Sequence, residues 1–145
     1  MPPEQGSEDD VEFTITSVQA SVASAAIECW NCRANIDVIC IYCESGNVSG
    51  EPLTQFTVSH IWGIDSALAR QLERWPLFRQ VQSVDEEGGC FANHCPHCGS
   101  VQEDLYLHSE PGDPFFDIPH AAPGTIKWTA LAGQVRLSGD ESFAV

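Results

Sequence analysis

Positive charge is almost missing from this chain: six basic residues face 21 acids, and Lys127 is the only lysine. The formal net charge of −15 sets up a field that repels DNA, RNA and anionic lipid and attracts basic partners. A nucleic-acid-binding face needs clustered cations, which six bases cannot furnish. Long apolar runs are missing too. None approaches the ~18 residues of a transmembrane helix. The start, MPPEQGSEDDVEF, is acidic and lacks the apolar stretch of a secretory signal, so the expected compartment is the cytoplasm. Catalytic signatures are equally absent: there is no H-E-x-x-H, G-x-S-x-G, phosphate loop or dinucleotide fingerprint.

Cysteine is what the chain has in excess. One hundred and forty-five residues with 43% apolar content fit one globular domain, and seven cysteines are many for it. The count is odd and three pairs are C-x-x-C, which in a reducing compartment indicates metal binding rather than disulfides. The plainest pair is Cys95-Pro96-His97-Cys98-Gly99. Proline presets a tight turn, and glycine lets backbone N–H groups face the sulfurs without a side-chain clash. Cys29-Trp30-Asn31-Cys32 supplies a second pair. Four thiolates complete a tetrahedral zinc site with Zn–S of about 2.3 Å, so Cys29, Cys32, Cys95 and Cys98 are the expected ligands. The same ligands also accept iron. A filled tetrahedron leaves no position for water and argues against metal-assisted hydrolysis.

The other sulfurs and imidazoles fit less well. Cys40 and Cys43 lie three apart inside a predicted strand and point to opposite faces, so they are expected in the core. Cys90, five before Cys95, could substitute as a ligand but reads first as a free thiol. His94 and His97 could replace a cysteine or hydrogen-bond a thiolate. A thioredoxin-type role for Cys29 and Cys32 would need a helix N-terminus behind the pair, and an apolar strand follows instead.

Along the chain, residues 1–10 are acidic and without periodicity, expected as a disordered arm. Val11 to Ser17 alternates as a half-buried strand, and Ser21 to Ala26 is a small-residue run of open state. Ile36 to Cys43 suits a buried strand broken by Ser45-Gly46-Asn47 and Ser49-Gly50. Phe56 to Trp62 and Phe78 to Val84 read as further strands. Between them a helix is expected at about 66–75, capped by Asp65 or Ser66 and stopped by Pro76. Residues 85–89 read as a turn, the state of 101–108 stays open, and 109–124 form a long loop. Ile126 to Leu137 predicts a hairpin about Gly133, and 139–145 a loose tail. The resulting fold class is α+β: a mostly antiparallel sheet with one main helix, a single domain over 11–138, and a split zinc-ribbon-like site of four cysteines. The 62 residues between Cys32 and Cys95 would be an insertion, with the metal clamping the front of the chain to its rear.

The blocks Glu28-Cys29-Trp30-x-Cys32 and Asn93-His94-Cys95-Pro96-His97-Cys98-Gly99-Ser100-Val101-Gln102-x-Asp104 resemble a pattern found in uncharacterised bacterial proteins with a split zinc ribbon. The resemblance covers about a quarter of the chain and implies no activity. The knuckles also resemble those of rubredoxin, which implies iron and one-electron transfer as the alternative reading. From size and charge, the expected function is non-enzymatic: an acidic inhibitor, such as an immunity protein or antitoxin, covering a basic, nuclease-type toxin. Its contact surface is expected among Glu86, Glu87, Glu103, Asp104, Glu110, Asp113 and Asp117, with Phe115 and Phe116 as exposed anchors.

Overall fold

The computed structural model describes residues 13–81, 90–103, 105–108, 113–116, 118, 121 and 124–143. Three 14-residue strands follow one another: β1 (Ile15–Glu28), β2 (Asn35–Val48) and β3 (Glu51–Ile64). A helix α1 (Ser66–Leu72) leads to short strands β4 (Phe78–Gln80), β5 (Phe91–His94) and β6 (Val101–Gln102). A single turn α2 (Leu105–His108) precedes β7 (Lys127–Ala130) and β8 (Val135–Phe143). β1 pairs with β2, β2 with β3, β3 with β8, and β8 back with β1, all antiparallel. That ring is a closed four-stranded barrel. A three-stranded sheet, β4-β5-β6, stands beside it.

The α+β expectation is therefore corrected. Most described residues in regular structure are in strands, and α1 spans 66–72 rather than 66–75. Asp65 caps α1 by accepting the Leu68 N–H at 2.9 Å. Its other carboxylate oxygen meets Arg136 Nε at 3.4 Å. After Leu72 the chain closes four-residue turns instead, Trp75 N–H to Leu72 O and Phe78 N–H to Trp75 O. Among the described residues, no helix is long and apolar enough to cross a membrane.

Packing decides two of the strand readings. The Ser21–Ala26 run is strand, because two neighbours flank it: Ser24 pairs with Ile39 of β2 and Lys127 of β7. Ser45-Gly46-Asn47 does not break β2. A Cβ on Gly46 would lie 2.5 Å from the Thr16 carbonyl, so glycine lets β1 press against β2 while pairing continues to Val48. The other expected break, at Ser49 and Gly50, is where β2 ends, both residues having positive φ. Of the expected strand from Phe78 to Val84, residues 78–80 form β4, and 82–84 lie outside the described residues.

The expected hairpin about Gly133 is a single interrupted strand. β7 pairs with β1 from Ser24 to Ser21, and β8 continues in the same direction from Ser17 to Ile15. The expected tail is corrected over 139–143, which belong to β8 along β3, while 144 and 145 lie outside the described residues. The arm at 1–10 and the turn at 85–89 lie outside the described residues.

Strand alternation divides the buried side chains into two cores. Ile15, Val22, Ile41, Phe56, Val58, Val135 and Leu137 fill the barrel together with Leu68 of α1. On the opposite face of β1 and β2, Ala23, Ala25, Val38 and Tyr42 pack against Leu107, Phe115 and Ile118 from the later chain. Cys43 joins the first core and Cys40 the second. The two cysteines thus face opposite ways from one strand and serve as core residues, as their spacing indicates.

Candidate metal centre

Both knuckles are hairpin turns of the same construction. The first joins β1 to β2: Cys29 N–H donates to Ala34 O at 2.8 Å and Arg33 N–H to Cys29 O at 3.0 Å. The second joins β5 to β6: Cys95 N–H donates to Ser100 O and Gly99 N–H to Cys95 O, both at 2.9 Å. In each, the residue four after the leading cysteine has positive φ, 69° at Arg33 and 80° at Gly99. Glycine adopts that region freely, whereas arginine adopts it at a cost of about 1–2 kcal/mol. This equivalence was hidden in the sequence, where only the second knuckle carries a glycine.

The fold brings the two turns face to face. The Sγ atoms of Cys29, Cys32, Cys95 and Cys98 all lie within 4.8 Å of one another. Cys29 Sγ is 3.7 Å from Cys98 Sγ, and Cys32 Sγ is 3.6 Å from Cys95 Sγ. Sulfurs on a tetrahedral zinc at 2.3 Å stand about 3.8 Å apart, so four thiolates in this arrangement fit such an ion. Cys29 and Cys95 are buried against the β1–β2 face, while Cys32 and Cys98 are exposed. The 62 intervening residues form β2 and β3, two of the four barrel strands, before the chain returns through β4 and β5 to Cys95.

Donors converge on the sulfurs. Backbone N–H groups of Asn31 and His97 point at Cys29 and Cys95 Sγ at 3.4 and 3.3 Å, and Cys98 N–H reaches Cys95 Sγ at 3.5 Å. Side chains add more: Gln102 Nε2 donates to Cys29 Sγ at 3.4 Å and Asn31 Nδ2 to Cys98 Sγ at 3.5 Å. Such donors spread the charge of a thiolate cluster. Cys98 lies low, at about 5, because the Ser100 hydroxyl and backbone amide and the Asn31 carboxamide favour its thiolate. Cys29 is lowered as well, first by the Cys32 backbone amide. At Cys32 the Ala34 amide favours the thiolate, but burial and the adjoining sulfurs outweigh it and push the thiol up to about 11. A metal ion, if bound there, would hold all four deprotonated.

Further bonds stitch the turns together without using sulfur. Trp30 Nε1 donates to Val101 O at 2.8 Å, and Asn31 Nδ2 to Ser100 Oγ at 3.0 Å. Trp30, Asn31, Ser100 and Gln102 were not singled out as site residues from the sequence. Their signal was position alone, close to a knuckle cysteine.

His94 and His97 are not among the converging ligands. His94 is buried with Nδ1 at 3.1 Å from Leu77 O and 3.0 Å from Ala92 O, whereas His97 is exposed. Cys90 lies outside the cluster, its backbone carbonyl bonded to Val81 N–H. Of the expected contact surface, Glu103 is exposed and Asp113 and Phe116 are half-buried. Phe115 is corrected: at 1% exposure it is a core residue under His108, so it cannot anchor a partner. Glu86, Glu87, Asp104, Glu110 and Asp117 lie outside the described residues. No protein family, curated protein or solved structure matches this chain.

Proposed function

We propose that this chain is a non-enzymatic binding protein in which one structural zinc ion clamps the β1–β2 turn to the β5–β6 turn, and whose acidic surface receives a basic protein partner. The observation that carries this reading is the meeting of four sulfurs from two equivalent turns, a donor set that fills a tetrahedral ion and leaves no place for substrate. Zinc so held supplies cross-linking rather than reaction chemistry. Cys29 and Cys95 take the ion at the face of the second core, so the clamp reaches the barrel itself. With 21 acids and six bases, the surface field selects a cationic partner and speeds its approach. Size and charge suit an inhibitor of the immunity-protein or antitoxin kind, occluding the phosphate-binding surface of a nuclease-type toxin.

Association kinetics test the electrostatic half of this reading. The basic partner recovered from the native host is mixed with zinc-loaded protein at about 10 mM and about 150 mM salt, between which the screening length falls from about 30 to 8 Å. The expected result is an association rate constant at least about tenfold lower at the higher salt. A salt-insensitive rate removes the acidic surface from the mechanism, and a gel shift on nucleic acid replaces the partner class.

A further inference from the structure

Beside the metal centre lies a cleft of about 700 Å³ that the metal reading does not use. Its walls are Trp30, Val101, Leu107 and Pro114, with the carboxylate residues Glu28 and Glu103 also lining it. Trp30 is 63% exposed, yet it is not loose. Its side chain's one polar atom is committed to Val101 O at 2.8 Å, which fixes the ring and leaves its faces as apolar, electron-rich surface. Such a ring attracts cations.

Charge at the cleft points the same way. Glu28 is engaged by Arg33 at 3.3 Å, but both side chains are exposed, and pairs of that kind yield readily to a better cation. No cation among the described residues pairs with Glu103. Among the described residues, the cleft lining contains no lysine or arginine. A fixed indole beside two carboxylates suits arginine better than lysine, because a planar guanidinium stacks on a ring while its fork binds a carboxylate. The volume lies in the range of small-ligand sites and exceeds one side chain, so apolar neighbours of the arginine enter as well.

We propose that this cleft receives an arginine-bearing, apolar-flanked segment of a basic protein partner, with the guanidinium on Trp30 and paired with Glu103. The proposal rests on the reading of the chain as a binder of basic proteins and names the chemistry of one contact.

The test uses zinc-loaded, ¹⁵N-labelled full chain and the peptide acetyl-Gly-Leu-Arg-Leu-Gly-amide, followed through the Trp30 indole N–H and the Val101 and Leu107 amides. The expected result is saturable shifts at these three groups. Affinity falls roughly tenfold when citrulline, neutral and of the same shape, replaces arginine. It falls about threefold or more in Glu103→Gln, an exposed position where the fold is undisturbed. Equal affinity for the citrulline peptide overturns the arginine assignment. Shifts confined to acidic surface away from Trp30 overturn the cleft while leaving the wider reading of a basic partner intact. Absence of any shift at millimolar peptide also overturns the cleft, and the salt dependence of association then judges the wider reading separately.

Discussion

The side-chain amide of Asn93 binds both backbone groups of Ile39: its Oδ1 accepts the N–H at 2.8 Å and its Nδ2 donates to the carbonyl at 3.0 Å. Pairing of β2 with β3 stops at Ile41 and Val58, so Ile39 lies beyond the reach of a strand on that side. Asn93 stands in for one, and thereby bolts the sheet that carries the second knuckle to the barrel that carries the first. Asn93→Ala leaves a buried N–H and C=O without partners, and the expected loss is about 2–4 kcal/mol. Urea unfolding of the zinc-loaded variant measures it, and hydrogen exchange at the Ile39 amide should accelerate in step.

Gly46 marks where β1 and β2 press closest. A methyl there meets Thr16 O at 2.5 Å and Ser17 Cβ at 3.2 Å, so Gly46→Ala is expected to cost about 2–3 kcal/mol through backbone displacement. Gly50→Ala is the control. Nothing lies within 4 Å of its Cβ position, and only its φ of 89° opposes a side chain, for a loss of about 1 kcal/mol. Thermal denaturation of the two variants should rank them in that order.

Gln102 is buried beside the cluster and spends both amide hydrogens there, on Cys29 Sγ at 3.4 Å and Ser100 O at 3.2 Å. Gln102→Ala keeps all four thiolates but loses a donor to one of them. Metal affinity is expected to fall about 10–100-fold, measured by competition with a chromogenic chelator. An unchanged affinity would show that the thiolates alone fix the ion.

Thiol titration in the metal-stripped protein has a definite sign. Cys98, held near 5 by Ser100 and Asn31, sits below a thiol's ordinary 9.0. Its contribution to the metal-free fold is therefore complete above pH 9 and is lost as pH falls through 5. Cys32, at about 11, works oppositely: its contribution is complete below 9 and is lost as pH rises through 11. Iodoacetamide at about pH 6–7 should accordingly modify Cys98 first. Cys43, buried and pushed up to about 12 by that burial, should react only on unfolding. Peptide mapping after timed quenching gives the order.

The four-cysteine cluster was legible in the sequence because it depends on short spacing: Cys29 with Cys32 and Cys95 with Cys98 each close within their own hairpin turn. The opposite-facing Cys40 and Cys43 were legible for the same reason, strand alternation being local. Closure of the barrel was not. It depends on β8 pairing with both β3 and β1, contacts between residues such as Ile15 and Leu137 that no local pattern announces. Gly46 suggested a break and the Ser21–Ala26 run left its state open because small residues also mark turns, whereas here they lie within paired strands. Asn93 and Gln102 were invisible as site residues, since an amide's use is decided by whichever group the fold sets opposite it.

Metal content is the most direct test of the zinc clamp. Native mass spectrometry and elemental analysis of the purified full chain, each with a melting curve before and after chelation, are compared with the Cys95→Ser/Cys98→Ser variant. The predicted result is one zinc per chain, absent from the variant, with chelator and variant each lowering stability by at least about 3 kcal/mol. A red protein with stoichiometric iron would change the ion and favour electron transfer. No stoichiometric metal, or a melting curve indifferent to chelator, would contradict the clamp outright.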